Sequence, residues 1–368
     1  MSDIYRNATR TIVWLGDNRP PLTKKAFAVI GELAAEAASR GYKSVGDGSS
    51  YLSLSSLSRV GTGPECMESA AYVRLKDDFS VLHLASSDWW FRTWTVQEFL
   101  LAPEPVIMTG TYTMDWARVC AGIDYGLPIG LWNPLILGLI VDPAVLPYLS
   151  MSALWKQRRS ELPSAVTPPA QAAQLLGLLM RCRFRQASDP RNKVYALLGL
   201  KHGDEDSASA RALEIEADYR LSVSEVYCHT ARQLLLQSAD LNLLAASTPV
   251  AATNQPPLTL PSWVPDWNDN TPIPHPLMHD ALGLSRQTHA SRGTHPTPRF
   301  SDNNQTLIFT GHSLTTITHL SPVLRRLPKL LNPNDLLTNH LDTRFVTRLS
   351  AYSYVFAGSP ACIGSYPL

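Results

Sequence analysis

The sequence predicts an α/β fold: a parallel sheet flanked by helices, followed by a mainly helical region and a small β-containing C-terminal region. Three observations predict it. The β-branched, apolar run Thr11-Ile12-Val13-Trp14-Leu15, closed by Gly16-Asp17, has the signature of a short, fully buried strand. Pro105-Val106-Ile107-Met108-Thr109-Gly110 has the same signature. Helical patterns lie between them, and the order strand, helix, strand implies parallel pairing.

The elements follow in order. Residues Ile4 to Ala8 read as the end of a helix. Leu22 to Arg40 is alanine-rich, with Phe27, Ile30, Leu33 and Ala34 close to helical spacing. From Ser39 to Ser58 serine and glycine dominate, so a flexible insertion is expected over residues 39–69. Ser87 or Asp88 can cap a helix from Trp89 to Ala102, which Pro103 stops. The second strand closes a first unit over residues 1–126.

A helical extension is expected over residues 127–267. Gln171 to Arg183 is a leucine-rich helix. Asp189-Pro190 starts another, with aspartate as N-cap and proline in the first position. Val194, Leu197 and Leu198 form its stripe and Gly199 ends it. Lys201 to Asp218 reads as a polar loop. Ser222 and Glu225 form a capping box for a helix whose apolar face is Val223, Val226, Tyr227, Ala231, Leu234 and Leu235. Leu260-Pro261-Ser262-Trp263-Val264-Pro265-Asp266-Trp267 cannot be helical, because the residue before each proline is pushed to extended geometry. The remaining residues, 268–368, are partly irregular. A hairpin is expected near residues 299–313, with its turn at Asp302 to Gln305.

Composition excludes several classes. Net charge is +1, from 32 basic and 31 acidic residues, so no electrostatic footprint for nucleic acid or an anionic membrane exists. The most apolar window, Leu127 to Leu149, contains Asn133, Asp142 and prolines, and does not read as a membrane span. The five cysteines are widely spaced without a metal-ligand pattern. Free thiols in a reducing compartment follow, hence an expected cytoplasmic location. At 28 residues, proline is frequent enough to interrupt long regular elements.

Standard catalytic signatures are missing: no G-x-S-x-G elbow, no phosphate-binding loop, no H-E-x-x-H. No metal site is expected. His275 and His279 are four apart, but Pro276 between them argues against a shared helical face. The expected Trp89–Ala102 helix is the best candidate. On it Phe91, Trp94 and Glu98 share one face. A carboxylate held against an indole is partly desolvated, which raises its pKa and suits it to acid–base or cation-stabilising work. The structural alternative is an ion pair, with Arg92 for example, that only anchors the helix. Arg191 and Lys193 could bind an anion or form a solvated face. Trp263 and Trp267 could form a ligand platform or pack between subdomains.

Five stretches in register resemble the heterokaryon-incompatibility (HET) domain and the region that follows it in fungal proteins. Asp3-Ile4-Tyr5-Arg6-Asn7-Ala8 leading to Ile12-Val13-Trp14-Leu15-Gly16-Asp17 is similar to one block of that family, with Trp14 and Gly16 as motif residues. Phe91-Arg92-Thr93-Trp94-Thr95-Val96-Gln97-Glu98 resembles a second. A third spans Ala187 to Leu200 and includes Asp189, Arg191, Lys193 and Tyr195. Asp218-Tyr219 through Ala231 and Leu260 through Trp267, with Trp263 and Trp267, are the fourth and fifth.

The resemblance implies a signalling or interaction module in fungal nonself recognition and programmed cell death. Its implied partners are other incompatibility or cell-death proteins, or a second copy of itself; no required cofactor is implied. Two strands that open the family's domain are missing ahead of the first block, so an N-terminally truncated copy with an exposed sheet edge is expected. The family also looks distantly like TIR domains, which makes the expected sheet TIR-like with its first strands missing. By that likeness Glu98 is the catalytic candidate, supported by Phe91, Arg92, Trp94 and Gln97, and NAD is the implied substrate. Cleavage at the nicotinamide–ribose bond passes through an oxocarbenium-like state that a carboxylate can stabilise. A nonfunctional copy is the remaining alternative.

Overall fold

The computed structural model describes residues 2–16, 20–41, 74–75, 80–85, 87–126, 131, 151, 154–155, 158, 167–200, 213–238, 240–247, 259–269 and 295–310. The 39–69 insertion beyond residue 41 and His275 and His279 lie outside these residues.

The N-terminal half is a small sheet with helices on it. Helix α1 (Ser2–Arg6) leads to strand β1 (Thr11–Trp14), then to α2 (Pro20–Ser39). Helix α3 (Ser80–Ala85) precedes a 3-10 turn over Asp88–Phe91 and α4 (Trp94–Leu100). Strands β2 (Pro105–Thr109) and β3 (Tyr112–Asp115) are followed by α5 (Trp116–Gly126). The sheet order is β1-β2-β3. β1 and β2 run parallel, with Val13 opposite Ile107, whereas β2 and β3 are antiparallel. The sheet is therefore mixed where sequence predicts a parallel one. The two-residue connection Gly110-Thr111 allows only a hairpin, and Gly110 at φ +55 supplies the left-handed position that such a turn requires.

β2 is buried along almost its whole length, as its sequence predicts. β1 is not. Val13 and Leu15 enter the core, while Ile12 is 60% and Trp14 44% exposed. Among the described residues β2 takes the middle of the sheet and β1 an edge, so alternation replaces full burial.

The expected helix over Trp89–Ala102 is interrupted. Ser87 caps the 3-10 turn, accepting from the Trp89 N–H at 3.4 Å. Arg92 is then extended (φ −81, ψ 136) and forms an isolated parallel bridge with Gln186. Thr93 N and Oγ1 both donate to the Gln186 carbonyl at 2.9 Å. Thr95 Oγ1 donates to the Arg92 carbonyl at 2.6 Å. Tertiary pairing with the distant chain thus satisfies the groups that a continuous helix would have used.

The second half is mainly helical: α6 (Pro168–Cys182), α7 (Asn192–Leu198), α8 (Val223–Gln237) and α9 (Asn242–Ala246). The Ser222–Glu225 capping box is present. The hairpin β4 (Arg299–Phe300) and β5 (Leu307–Ile308) follows, with Asn304 in its turn at φ 55. α6 packs on α7 and α8, and α7 packs on α4. One hydrophobic cluster runs from Val13 to Trp267 through both halves. Among the described residues no helix is long and apolar enough to cross a membrane, and Cys120, Cys182 and Cys228 are free thiols.

Candidate functional site

Glu98 is half-buried near the end of α4, among buried Thr95, Val96, Gln97, Phe99 and Leu100. The interruption at Arg92 alters its surroundings. Phe91 belongs to the preceding 3-10 turn, so the continuous Phe91–Trp94–Glu98 face of a single helix does not form. Glu98 faces Tyr5 of α1 and Arg92 instead. Both side chains act on its titration.

Burial pushes the Glu98 carboxyl above the usual carboxylate range, while the Arg92 guanidinium and the Tyr5 hydroxyl pull it partway back. Tyr5 is raised by its own burial and then by the nearby Glu98 charge. The arrangement is a carboxyl of raised proton affinity between a phenol and an exposed guanidinium. It can hold or release a proton, or stabilise a cation. Sequence reasoning anticipates Arg92 but misses Tyr5, whose only signal is its place in the first motif block.

Beside this site Trp90 belongs to the core. Trp90 is fully buried, donates from Nε1 to the Leu84 carbonyl at 2.7 Å, and packs against Trp89, Phe99 and Trp116. Trp94 and Phe91 are partly buried. Gln97 is buried, and its Oε1 has no partner among the described residues.

The third motif block ties together the backbone of the second half, and its helix α7 packs on α4 of the first. Asp189 and Arg191 are paired, Nη2 to Oδ2 at 2.7 Å, and the Asp189 carboxylate also accepts the Arg191 N–H at 3.0 Å. Helix α7 proper begins only at Asn192. Arg191 Nη1 donates to the carbonyls of Tyr219 (2.6 Å) and Leu221 (2.9 Å). Tyr195 donates to the Asp218 carbonyl at 2.8 Å. Lys193 is 4% exposed and donates to the carbonyls of Arg183, at 2.8 Å, and Arg185. Lys193 is thus buried and fastens backbone, whereas Arg191 is partly exposed and is engaged with Asp189 and two backbone carbonyls. Buried Arg185 donates to the Trp90 carbonyl, and Arg183 to the Asp269 carbonyl at 2.6 Å.

Trp263 and Trp267 are both buried in the common core, which supports the packing reading over a ligand platform. Trp263 also touches Phe300 of the hairpin at 5.3 Å between ring centroids. Gly16, at φ +97, ends β1, and its carbonyl accepts from Thr109 Oγ1 at 3.0 Å. Trp14 is on the outward face of the edge strand. The structure therefore brings Arg92 and Tyr5 to Glu98. No cluster of His, Cys, Asp and Glu suited to a metal occurs among the described residues.

Residues 1–98 match the family model described as Heterokaryon incompatibility protein (HET), a match that ends on Glu98. The chain is also similar to Heterokaryon incompatibility protein 6, OR allele, of Neurospora crassa, at 26% identity over 294 residues, covering 73% of this chain and 41% of that protein. It thus spans less than half the length of that curated relative. No solved structure matches. Both similarities point to the same family, over residues 1–98 in the one case and over 73% of the chain in the other.

Proposed function

We propose, from the premise that residues 1–98 are a HET-family segment, that this chain is a heterokaryon-incompatibility-type protein: a cytoplasmic signalling or interaction module in fungal nonself recognition and the cell death that follows fusion of incompatible cells. The carrying observation is that the matched segment and the later motif blocks pack as one unit. Gln186 pairs with Arg92, Arg185 with Trp90, and Arg6 with Gly199. Its partners on this reading are other incompatibility or cell-death proteins, or a second copy. Controlled expression of the full chain in a filamentous fungus tests it. Loss of hyphal viability, or a changed outcome of fusion between strains, is expected. Accumulation of folded protein with neither effect ends the reading.

A second reading is favoured by the Glu98 surroundings alone: cleavage of NAD at its nicotinamide–ribose bond, by likeness to TIR domains. A partly desolvated carboxylate beside the substrate would stabilise the oxocarbenium-like transition state. Incubation of the purified chain and Glu98→Gln with NAD, followed by chromatography of nicotinamide, tests this reading. Equal release by both proteins, or none by either, removes it.

A further inference from the structure

The four residues that follow α6, Arg183-Phe184-Arg185-Gln186, are bonded to both halves of the molecule at once. On one side the Arg183 fork reaches forward. Its Nε donates to the Asp269 carbonyl at 2.6 Å, Nη1 to the Ala246 carbonyl at 3.0 Å, and Nη2 to the Asp269 carboxylate at 3.3 Å. On the other side the segment reaches back to the break before α4. The Gln186 N–H donates to the Phe91 carbonyl, and the Gln186 carbonyl accepts from Thr93 N and Oγ1, both at 2.9 Å. Arg185 donates to the Trp90 carbonyl. Lys193 donates to the carbonyls of Arg183 and Arg185 and so grips the segment itself.

These links do not give way one at a time. Arg183, Arg185 and Lys193 are all buried. A buried cation deprived of its acceptors is strongly unfavourable, so losing one contact strains the others on the same segment. Arg92, extended at φ −81 and ψ 136, keeps that conformation through its bridge to Gln186. The Asp269 side chain is 15% exposed, so its end of this set of contacts is open to solvent. We propose that residues 183–186 are a strap poised to release: loss of the Asp269 carboxylate from Arg183 loosens the segment as a unit and frees the Trp90–Thr93 break, while the sheet stays closed. Trp90 to Thr93 lie within residues 1–98 and Asp269 lies outside them. The strap therefore lets the later region act on the conformation of the matched segment. A basic group that drew the Asp269 carboxylate away would be felt at the break before α4.

Amide hydrogen exchange on the full chain tests this. In Asp269→Ala the amides of Thr93 and Gln186, which donate across the junction, exchange about tenfold faster or more, as befits the loss of a charged partner. The Leu15 amide, which donates to the Met108 carbonyl at 2.8 Å within the sheet, keeps its rate. Unmoved Thr93 and Gln186 amides overturn the proposal. An equal acceleration of all three also overturns it, because the strap then opens only when the whole molecule unfolds. If Asp269→Ala does not fold, the unmutated chain in low urea decides. There the amides of Thr93, Arg185 and Gln186 share one urea dependence and open more readily than Leu15. Separate dependences for the three, or one that coincides with Leu15, overturn the strap.

Discussion

Gly122 lies so close to the backbone of Ile30 that a Cβ at this position would stand 2.6 Å from the Ile30 carbonyl oxygen. The contact joins α5 to α2, the most extensively packed pair of elements, and backbone cannot swing aside as a side chain does. Gly122→Ala is therefore expected to destabilise the protein by up to about 2 kcal/mol, the roughly 1–3 kcal/mol typical of overpacking less roughly 1 kcal/mol gained by removing a helical glycine. Gly177 in α6 is the contrast. Nothing lies within 4 Å of a Cβ there, so Gly177→Ala is expected to stabilise by about 0.5–1 kcal/mol. Urea midpoints of the two variants should move in opposite directions. A raised midpoint for Gly122→Ala would show that the helices separate freely.

Glu98 gives a pH dependence whose sign is fixed by its raised carboxyl. A carboxyl raised in the folded state contributes stability below its unfolded pKa, and that contribution is lost as pH rises through the folded value. At neutral pH the half-buried charge is a net burden, and at pH 4 it is largely absent. Glu98→Gln is thus expected to raise Tm relative to the unmutated chain at pH 7 and to do so much less at pH 4. Calorimetry at both values checks this. A Tm difference independent of pH would place Glu98 in an environment as wet as the unfolded chain.

Local patterns were legible in the sequence where local physics decides them. The Ser222–Glu225 capping box, the buried run of β2 and the β4–β5 hairpin formed as expected, because each rests on neighbouring residues. Arg92 was not legible. Its extended backbone exists because Gln186 pairs with it, and nothing near Arg92 announces that partner. Lys193 failed for the same reason. A lysine beside an arginine at a helix start reads as surface, until the Arg183 and Arg185 carbonyls close over it. Glu98 was found from its motif, but Tyr5 comes from a helix 93 residues earlier, and only folding brings them together.

Lys193 gives the opposite pH dependence. Burial lowers its pKa to about 8, while the unfolded chain titrates near the ordinary 10.5. Between these values the unfolded state holds more protons, so stability rises with pH. The neutral amine still donates to both carbonyls, so nothing offsets the gain. From pH 7.5 to 9.5 the unmutated chain should gain on the order of 2 kcal/mol relative to Lys193→Met. At pH 7.5 Lys193→Met is itself destabilised, by about 1.5–3 kcal/mol for each charge-assisted hydrogen bond lost, less the relief of removing a buried charge. Urea unfolding of both proteins at the two pH values measures the slope difference, and parallel pH curves would contradict a buried ammonium.

The edge of the sheet yields the last prediction. β2 lies on one side of β1, and among the described residues no strand lies on the other. Thr11 and Leu15 donate their N–H groups toward the β2 side, to the carbonyls of Glu104 (3.3 Å) and Met108 (2.8 Å). Alternation along the strand then directs the backbone groups of Ile12 and Trp14 outward. Their side chains are largely exposed as well. A strand edge with free donors and apolar side chains is a template for pairing with another chain. Ile12→Lys together with Trp14→Lys should remove that tendency. Stability should change by no more than about 0.5 kcal/mol per site, because the burial of this strand resides in Val13 and Leu15. Val13→Ala, by contrast, should lose roughly 1–3 kcal/mol. Light scattering over a concentration series, read beside urea midpoints, separates the two faces. The double lysine variant should scatter less at an unchanged midpoint. If it scatters as strongly as the unmutated chain, association proceeds through another surface, and the exposed face of β1 is not what drives it.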